Sequence, residues 1–300
     1  MPLIDTHCHL HDREFFTEEQ AEEMLKRASE NGVEKIICIG TSHEDSLAAR
    51  DFALAHENVY WTYGIHPENA SKEGVLTDIS SSEARSAGPL VYDHSRPKGR
   101  APRAAAANPS LRSRVPRGER LASLRTLLRS DISATPSPSK LVAIGEVGLD
   151  YHYDGYDRDA QIMLFNEMLQ LAKDNNLPVS FHIREAFDDF FGVVANFPEV
   201  KGVVHSFTDS KKNLKRILNE TDFFVGVNGL ATYSTLPTPP LERILLETDA
   251  PFLTPVPFRG IINECAYVYN IAEWLSEKLG VEFETIEKET TKNAGRLYHI

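Results

Sequence analysis

Three hundred residues with 41% hydrophobic content are enough to bury one large core, and α/β barrels commonly occupy about 250 residues as a single unit. No run of about 18 apolar residues occurs, the first residues lack a basic region followed by an apolar core, and three cysteines (Cys8, Cys38, Cys265) without a CxxC pair give no disulfide framework; a membrane span and export are not expected. The net charge of −12 is unevenly spread, because residues 81–140 hold twelve Lys and Arg, ten of them Arg, against four Asp and Glu, a local +8 in a chain that is otherwise −20.

The first strand is expected at residues 3–6, running into Asp5-Thr6-His7-Cys8-His9-Leu10. Side chains alternate faces along a strand, so His7 and His9 point the same way and Cys8 points opposite. Two imidazoles on one side of a strand end suit a shared metal, although the same pair also fits two ordinary polar residues. Cys8 itself reads as a small buried residue.

Thr17 caps a helix that Asn31-Gly32 ends. An apolar strand follows at 34–40, a helix at 44–56, and a strand at 58–64 that leads to His66. Continuous apolar strands separated by helices argue for a parallel sheet covered on both faces. Regularity then fails. Residues 80–139 include SSSEARSAGPL, RPKGRAPRAAAANPS and ATPSPS, a composition that reads as a disordered Arg-rich insertion. Within it only 119–130 has leucines at helical spacing, Leu121, Leu124, Leu127 and Leu128. The stretch is either a nucleic-acid-attracting arm or the mark of an imperfect gene model.

The fourth strand, LVAIGEVGLDY at 141–151, delivers the lone carboxylate of Glu146 to its C-terminal end. Helices at 157–175, 185–196 and 209–219 separate strands at 177–182, 202–205 and 222–228. The last strand, 243–248, precedes Asp249, and two helices near 263–279 and 284–298 close the chain. Between strands 7 and 8 the sequence GLATYSTLPTPPLE carries Pro237, Pro239 and Pro240, which forbid the usual crossover helix.

This order is a (β/α)8 TIM barrel, distorted by a disordered basic insertion after strand 3 and a missing outer helix between strands 7 and 8. A single domain over 1–300 is expected, with residues 80–139 inserted in it. In such a barrel catalytic residues sit at the C-terminal strand ends. His7, His9, His66, His182 and His205 fall there, together with Glu146 and Asp249, whereas the other six histidines do not.

The motifs DTHCHL (5–10), GIHP (64–67), IGEVGLDY (144–151), FHIREA (181–186), VHSFT (204–208) and ETDAPFLTP (247–255) resemble those of the TatD-type metal-dependent hydrolases, a branch of the amidohydrolase-like barrels. The resemblance spans the chain outside residues 80–140. It implies two divalent metal ions (Mg, Mn or Zn), one held by His7, His9 and Asp249, the other by His182 and His205. Glu146 bridges them in that reading, His66 lines the substrate pocket, and Asp249 is also the general base. Arg184 and Arg259 are candidate phosphate contacts, since a guanidinium fork fits phosphate oxygens. The implied activity is cleavage of DNA phosphodiester bonds by a 3′–5′ exodeoxyribonuclease with a two-metal mechanism, acting on single strands or 3′ ends. A cytoplasmic or nuclear monomer without membrane contact is expected. The alternatives are a metal-dependent amide or ester hydrolase and a non-catalytic divergent homologue. Relatives usually carry further basic residues and a proline where this chain has Ile261, Ile262 and Cys265.

Overall fold

Eight strands pair side by side in chain order, all parallel: β1 (Leu3–Cys8), β2 (Val33–Cys38), β3 (Val59–Tyr63), β4 (Leu141–Asp150), β5 (Val179–Arg184), β6 (Gly202–Val204), β7 (Phe224–Val227) and β8 (Ile244–Leu246). The computed structural model describes residues 2–70 and 140–300. The expected insertion at 80–139 and its candidate helix at 119–130 lie outside the described residues. The barrel closes where β8 meets β1. There the Asp249 amide donates to the His7 carbonyl and the His9 amide to the Ala250 carbonyl, both at 2.8 Å. These two bonds seal the wall and set His7, His9 and Asp249 side by side.

The helices among the described residues are α1 (Glu18–Glu30), α2 (His43–Ala55), α3 (Arg158–Asn175), α4 (Phe187–Val194), α5 (Lys211–Glu220), α6 (Val268–Leu279) and α7 (Phe283–Tyr298). Local chemistry sets their ends. Thr17 and Gln20 form a reciprocal capping box at the start of α1, an arrangement whose cap alone contributes about 1 kcal/mol. Ser42, Asp157 and Ser210 cap α2, α3 and α5 through their side-chain oxygens. Between β7 and β8 the chain makes only two short 3-10 turns, Gly229–Thr232 and Leu241–Arg243. The outer helix is missing there, as the three prolines dictate, and α6 packs against the first turn in its place.

Alternation along the strands divides the core in two. Outward-facing residues pack under the helices; Phe181 of β5, for example, meets Phe165 of α3, Phe190 of α4 and Phe223 at centroid distances of 6.0, 5.3 and 4.7 Å. Burying each ring contributes about 1.5–3 kcal/mol, and with Phe181 fixed outward His182 must face the barrel axis. Inward-facing Ile4, Ile37, Val203, Phe224 and Leu245 fill the lower half with Leu297 and Tyr298 of α7. The upper half is polar. No helix among the described residues is long and apolar enough to cross a membrane.

Candidate metal centre

Every strand-end residue singled out for metal binding converges on one buried spot. Glu146 is 5% exposed and has four imidazoles within 4 Å of its carboxylate. His182 Nδ1 is 2.7 Å from Oε1, His205 Nε2 3.4 Å and His66 Nε2 3.8 Å, while His7 Nε2 is 3.6 Å from Oε2. Asp249 Oδ1 lies 3.6 Å from Nε2 of both His7 and His9, contacts of ion-pair rather than hydrogen-bond length. The rings of His7 and His205 stack at 3.7 Å.

Glu146 reaches the centre differently from the sequence expectation. It is not the end of β4, which continues to Asp150, and the pairing of β4 with β5 shifts register between Ile144 and Val147. Its amide donates to the Gly40 carbonyl beyond the end of β2 at 2.7 Å, passing over β3. Gly64 makes this crossing feasible, because a Cβ there would run into the Gly145 carbonyl carbon and the Glu146 nitrogen. The Thr62 hydroxyl donates to the Gly145 carbonyl and pins the crossing. Asp249, three residues beyond β8, adopts φ 58°, a left-handed conformation that Asp tolerates better than most residues.

Burial raises the Glu146 carboxyl pKa, but the His205 charge and the His182 and His7 contacts outweigh it and hold the group well below the usual range. Asp249 is likewise buried yet drawn down to about 2 by His9, His205 and His7. Burial disfavours charge on His182 and His9, but the Asp150 and Glu146 carboxylates lift His182 to about 10, and Asp249 lifts His9 to about 10. His66, buried and beside His182, falls to about 3 and is neutral at ordinary pH.

A divalent cation fits these residues. His7, His9 and Glu146 offer ligand atoms within 4.8 Å of one another, as do Glu146, His182 and His205, and also His7, His205 and Asp249. Both ring nitrogens of His7 are buried without a hydrogen-bond partner among the described residues. Imidazole with carboxylate suits Zn or Mn and tolerates Mg.

Two carboxylates behind the centre were not singled out in the sequence. Asp150 Oδ2 receives His182 Nε2 at 2.9 Å. Glu247, fully buried, stands 3.2 Å from His205 Nδ1, and its Oε1 accepts from the Ser206 amide at 2.7 Å. Period-two alternation was the available signal, since Asp150 lies four residues beyond Glu146 and Glu247 two before Asp249. Arg184 and Arg259 sit at the rim, apart from the buried cluster: Arg184 ends β5 and packs on Tyr153, and Arg259 follows β8 and packs on Tyr233.

Residues 4–299 match the sequence model of the family described as TatD related DNase. The chain is 31% identical over 307 residues to the metal-dependent hydrolase YabD of Bacillus subtilis, covering 99% of both chains. It is 28% identical over 294 residues to the 3′-5′ ssDNA/RNA exonuclease TatD of Erwinia tasmaniensis, covering 93% of each. Among solved structures, the TatD homologue YJJV of Escherichia coli superposes with a TM-score of 0.74 at 26% identity, over 99% of this chain and 98% of that one.

Proposed function

This chain belongs to the TatD-related DNase family and is a metal-dependent hydrolase, and from that premise we propose that it cleaves phosphodiester bonds of DNA as a 3′–5′ exonuclease using two divalent cations. The observation that carries the reading is the Glu146 carboxylate facing four buried imidazoles, because it belongs both to the set with His7 and His9 and to the set with His182 and His205. In this reading His7, His9 and Asp249 hold one cation, His182 and His205 the other, and Glu146 lies between. Divalent cations held there supply Lewis acidity toward the phosphoryl oxygens and neutralise developing charge.

The chain's own residues do the rest. Asp249 stays ionised far below neutral pH and takes the proton of the attacking water as general base. His66, neutral and 3.8 Å from Glu146, presents a ring nitrogen to a substrate oxygen without adding charge. Arg184 and Arg259 hold phosphates on either side of the reacting bond. Two cations would bring +4 against the four buried carboxylates of Glu146, Asp249, Asp150 and Glu247, so the positive charge that meets a polyanion comes from the rim guanidinium groups of Arg184 and Arg259, in a chain that carries −12 overall.

The test is end-labelled single-stranded DNA incubated with Mg2+ or Mn2+, beside Glu146→Ala. The expected result is progressive shortening from the 3′ end and a loss of about a thousand-fold or more in the variant. Equal cleavage by both proteins, or hydrolysis of amides and esters but not of DNA, overturns the reading.

A further inference from the structure

The buried centre does not account for the rim above it. Arg184 lies two residues beyond His182 on β5 and therefore on the same side of the strand. Its guanidinium carbon is 5.3 Å from the ring centroid of Tyr153, and Nη1 is 3.4 Å from the Tyr153 hydroxyl. On another side of the mouth the guanidinium carbon of Arg259 is 3.7 Å from the centroid of Tyr233. The first pair stands over β4 and β5 and the second over β7 and β8, with β6 between them in the barrel order.

Among the described residues both guanidinium groups lack a carboxylate partner, as do Arg13, Arg243 and Arg296, whereas Arg27, Arg50, Arg158 and Arg216 each make an ion pair; what sets Arg184 and Arg259 apart is their place beside the mouth. In a chain of net charge −12, two cations left unneutralised beside a catalytic mouth are placed for an anionic ligand. The apolar surface is concentrated there too. Among the described residues, five of the seven exposed large hydrophobic side chains lie in the loops after β4 and β8, namely Tyr153, Tyr156, Val256, Ile261 and Ile262. Tyr153 is exposed, whereas Tyr233 is half-buried with one ring face under Arg259; an aromatic ring beside a guanidinium matches a nucleotide, with its flat base and its phosphate.

We propose that Tyr153 with Arg184, and Tyr233 with Arg259, are two nucleotide subsites, each stacking one unpaired base on its tyrosine and holding the adjacent phosphate on its arginine. The strand then crosses Glu146 between them. The assignment deepens the phosphodiesterase reading and rests on it. A base inside a duplex is covered on both faces and cannot stack on either tyrosine, so the subsites select unpaired strand.

The experiment measures binding of a fluorescein-labelled phosphorothioate oligothymidine, which resists cleavage, to the full chain with Mg2+ by anisotropy. Tyr153→Ala and Tyr233→Ala are each expected to weaken binding by roughly five- to one hundred-fold, while Tyr153→Phe and Tyr233→Phe, which keep the ring, restore it. In turnover the alanine variants raise KM more than they lower kcat. Arg184→Gln and Arg259→Gln each flatten the salt dependence of binding by about 0.7 in the logarithmic slope. Alanine variants that bind like the wild type, or a blunt duplex bound as tightly as the single strand, overturn the subsites. Bis-p-nitrophenyl phosphate, a phosphodiester without bases, separates the two readings. If the wild type hydrolyses it while the alanine variants bind oligothymidine normally, the subsites alone fall; if the wild type hydrolyses neither it nor DNA, both fall.

Discussion

The mouth and the floor of this barrel are built from the same strands and obey opposite rules. Along the inner face of β8 and the turn beyond it, Leu245 is followed by Glu247 and Asp249; along β6, Val203 is followed by His205; along β7, Phe224 is followed by Gly226 and Asn228. At the floor the inward side chains gathered under the centre are mainly apolar, and α7 closes the end with Leu297 and Tyr298. At the mouth carboxylates and imidazoles are packed within 4 Å of one another. Backbone strain follows the same division: of the six non-glycine residues with positive φ among the described residues, Glu185, Ser206, Asp249 and Leu253 lie in turns at the mouth. Conformations of this kind cost on the order of 1–3 kcal/mol each and persist where surrounding structure holds them. The floor therefore supplies stability that the mouth consumes, and the two respond to different perturbations.

The largest expected effect is on pH. In protein stripped by a chelator, His9 and His182 have folded-state pKa values near 10 against an ordinary 6.5. Because the folded value is the higher one, their contribution is fully present below pH 6.5 and is lost as pH rises through about 10. Two such groups together carry on the order of 5–10 kcal/mol, so Tm of the stripped protein should fall across that window. Metal-loaded protein, whose imidazoles must already be neutral to bind a cation, should fall less. Parallel Tm profiles for the two forms would show that the mouth does not set this behaviour.

A smaller effect isolates the floor. Leu245 is fully buried beneath the centre, and Leu245→Ala should lower unfolding free energy by about 2–5 kcal/mol in urea. Hydrolysis per folded molecule should stay near the wild-type value. A variant of normal stability but low kcat would erase the division between the two ends.

How much of this was legible in the sequence differs in the same way between floor and mouth. The helix cap at Thr17 is local, and period-two alternation already placed His7 with His9. The strand order and the proline-blocked helix between β7 and β8 followed from patterns within a few residues. The course of Glu146 did not, because it depends on Gly64 leaving space for β4 to cross and on the Gly40 carbonyl accepting the Glu146 amide, and no spacing within 141–151 reveals that. Asp150 and Glu247 stood inside recognised motifs, yet a buried carboxylate behind an imidazole looks in sequence like any surface acid until its partner is known. Tyr153 and Tyr233 escaped notice for the same reason, since their arginines come from elsewhere in the chain, Arg184 from the end of β5 and Arg259 from beyond β8.

The smallest effect probes the support of the mouth itself. Glu247 is held by the Ser206 amide and by Asn228 Nδ2 at 3.3 Å, and Gly226 leaves it room, because a Cβ there would collide with its carboxylate. A carboxylate behind a ligating imidazole fixes the ring and raises its basicity. Glu247→Gln preserves the shape and one acceptor while removing the charge, so the fold should survive and His205 should become the poorer ligand. Divalent-cation affinity, read by chelator competition, should fall by about 10–100-fold, or roughly 1.4–2.7 kcal/mol. Asp150→Asn should do the same through His182. If either variant binds the cation as the wild type does, that carboxylate serves packing alone, and His182 or His205 is oriented by its strand without help from behind.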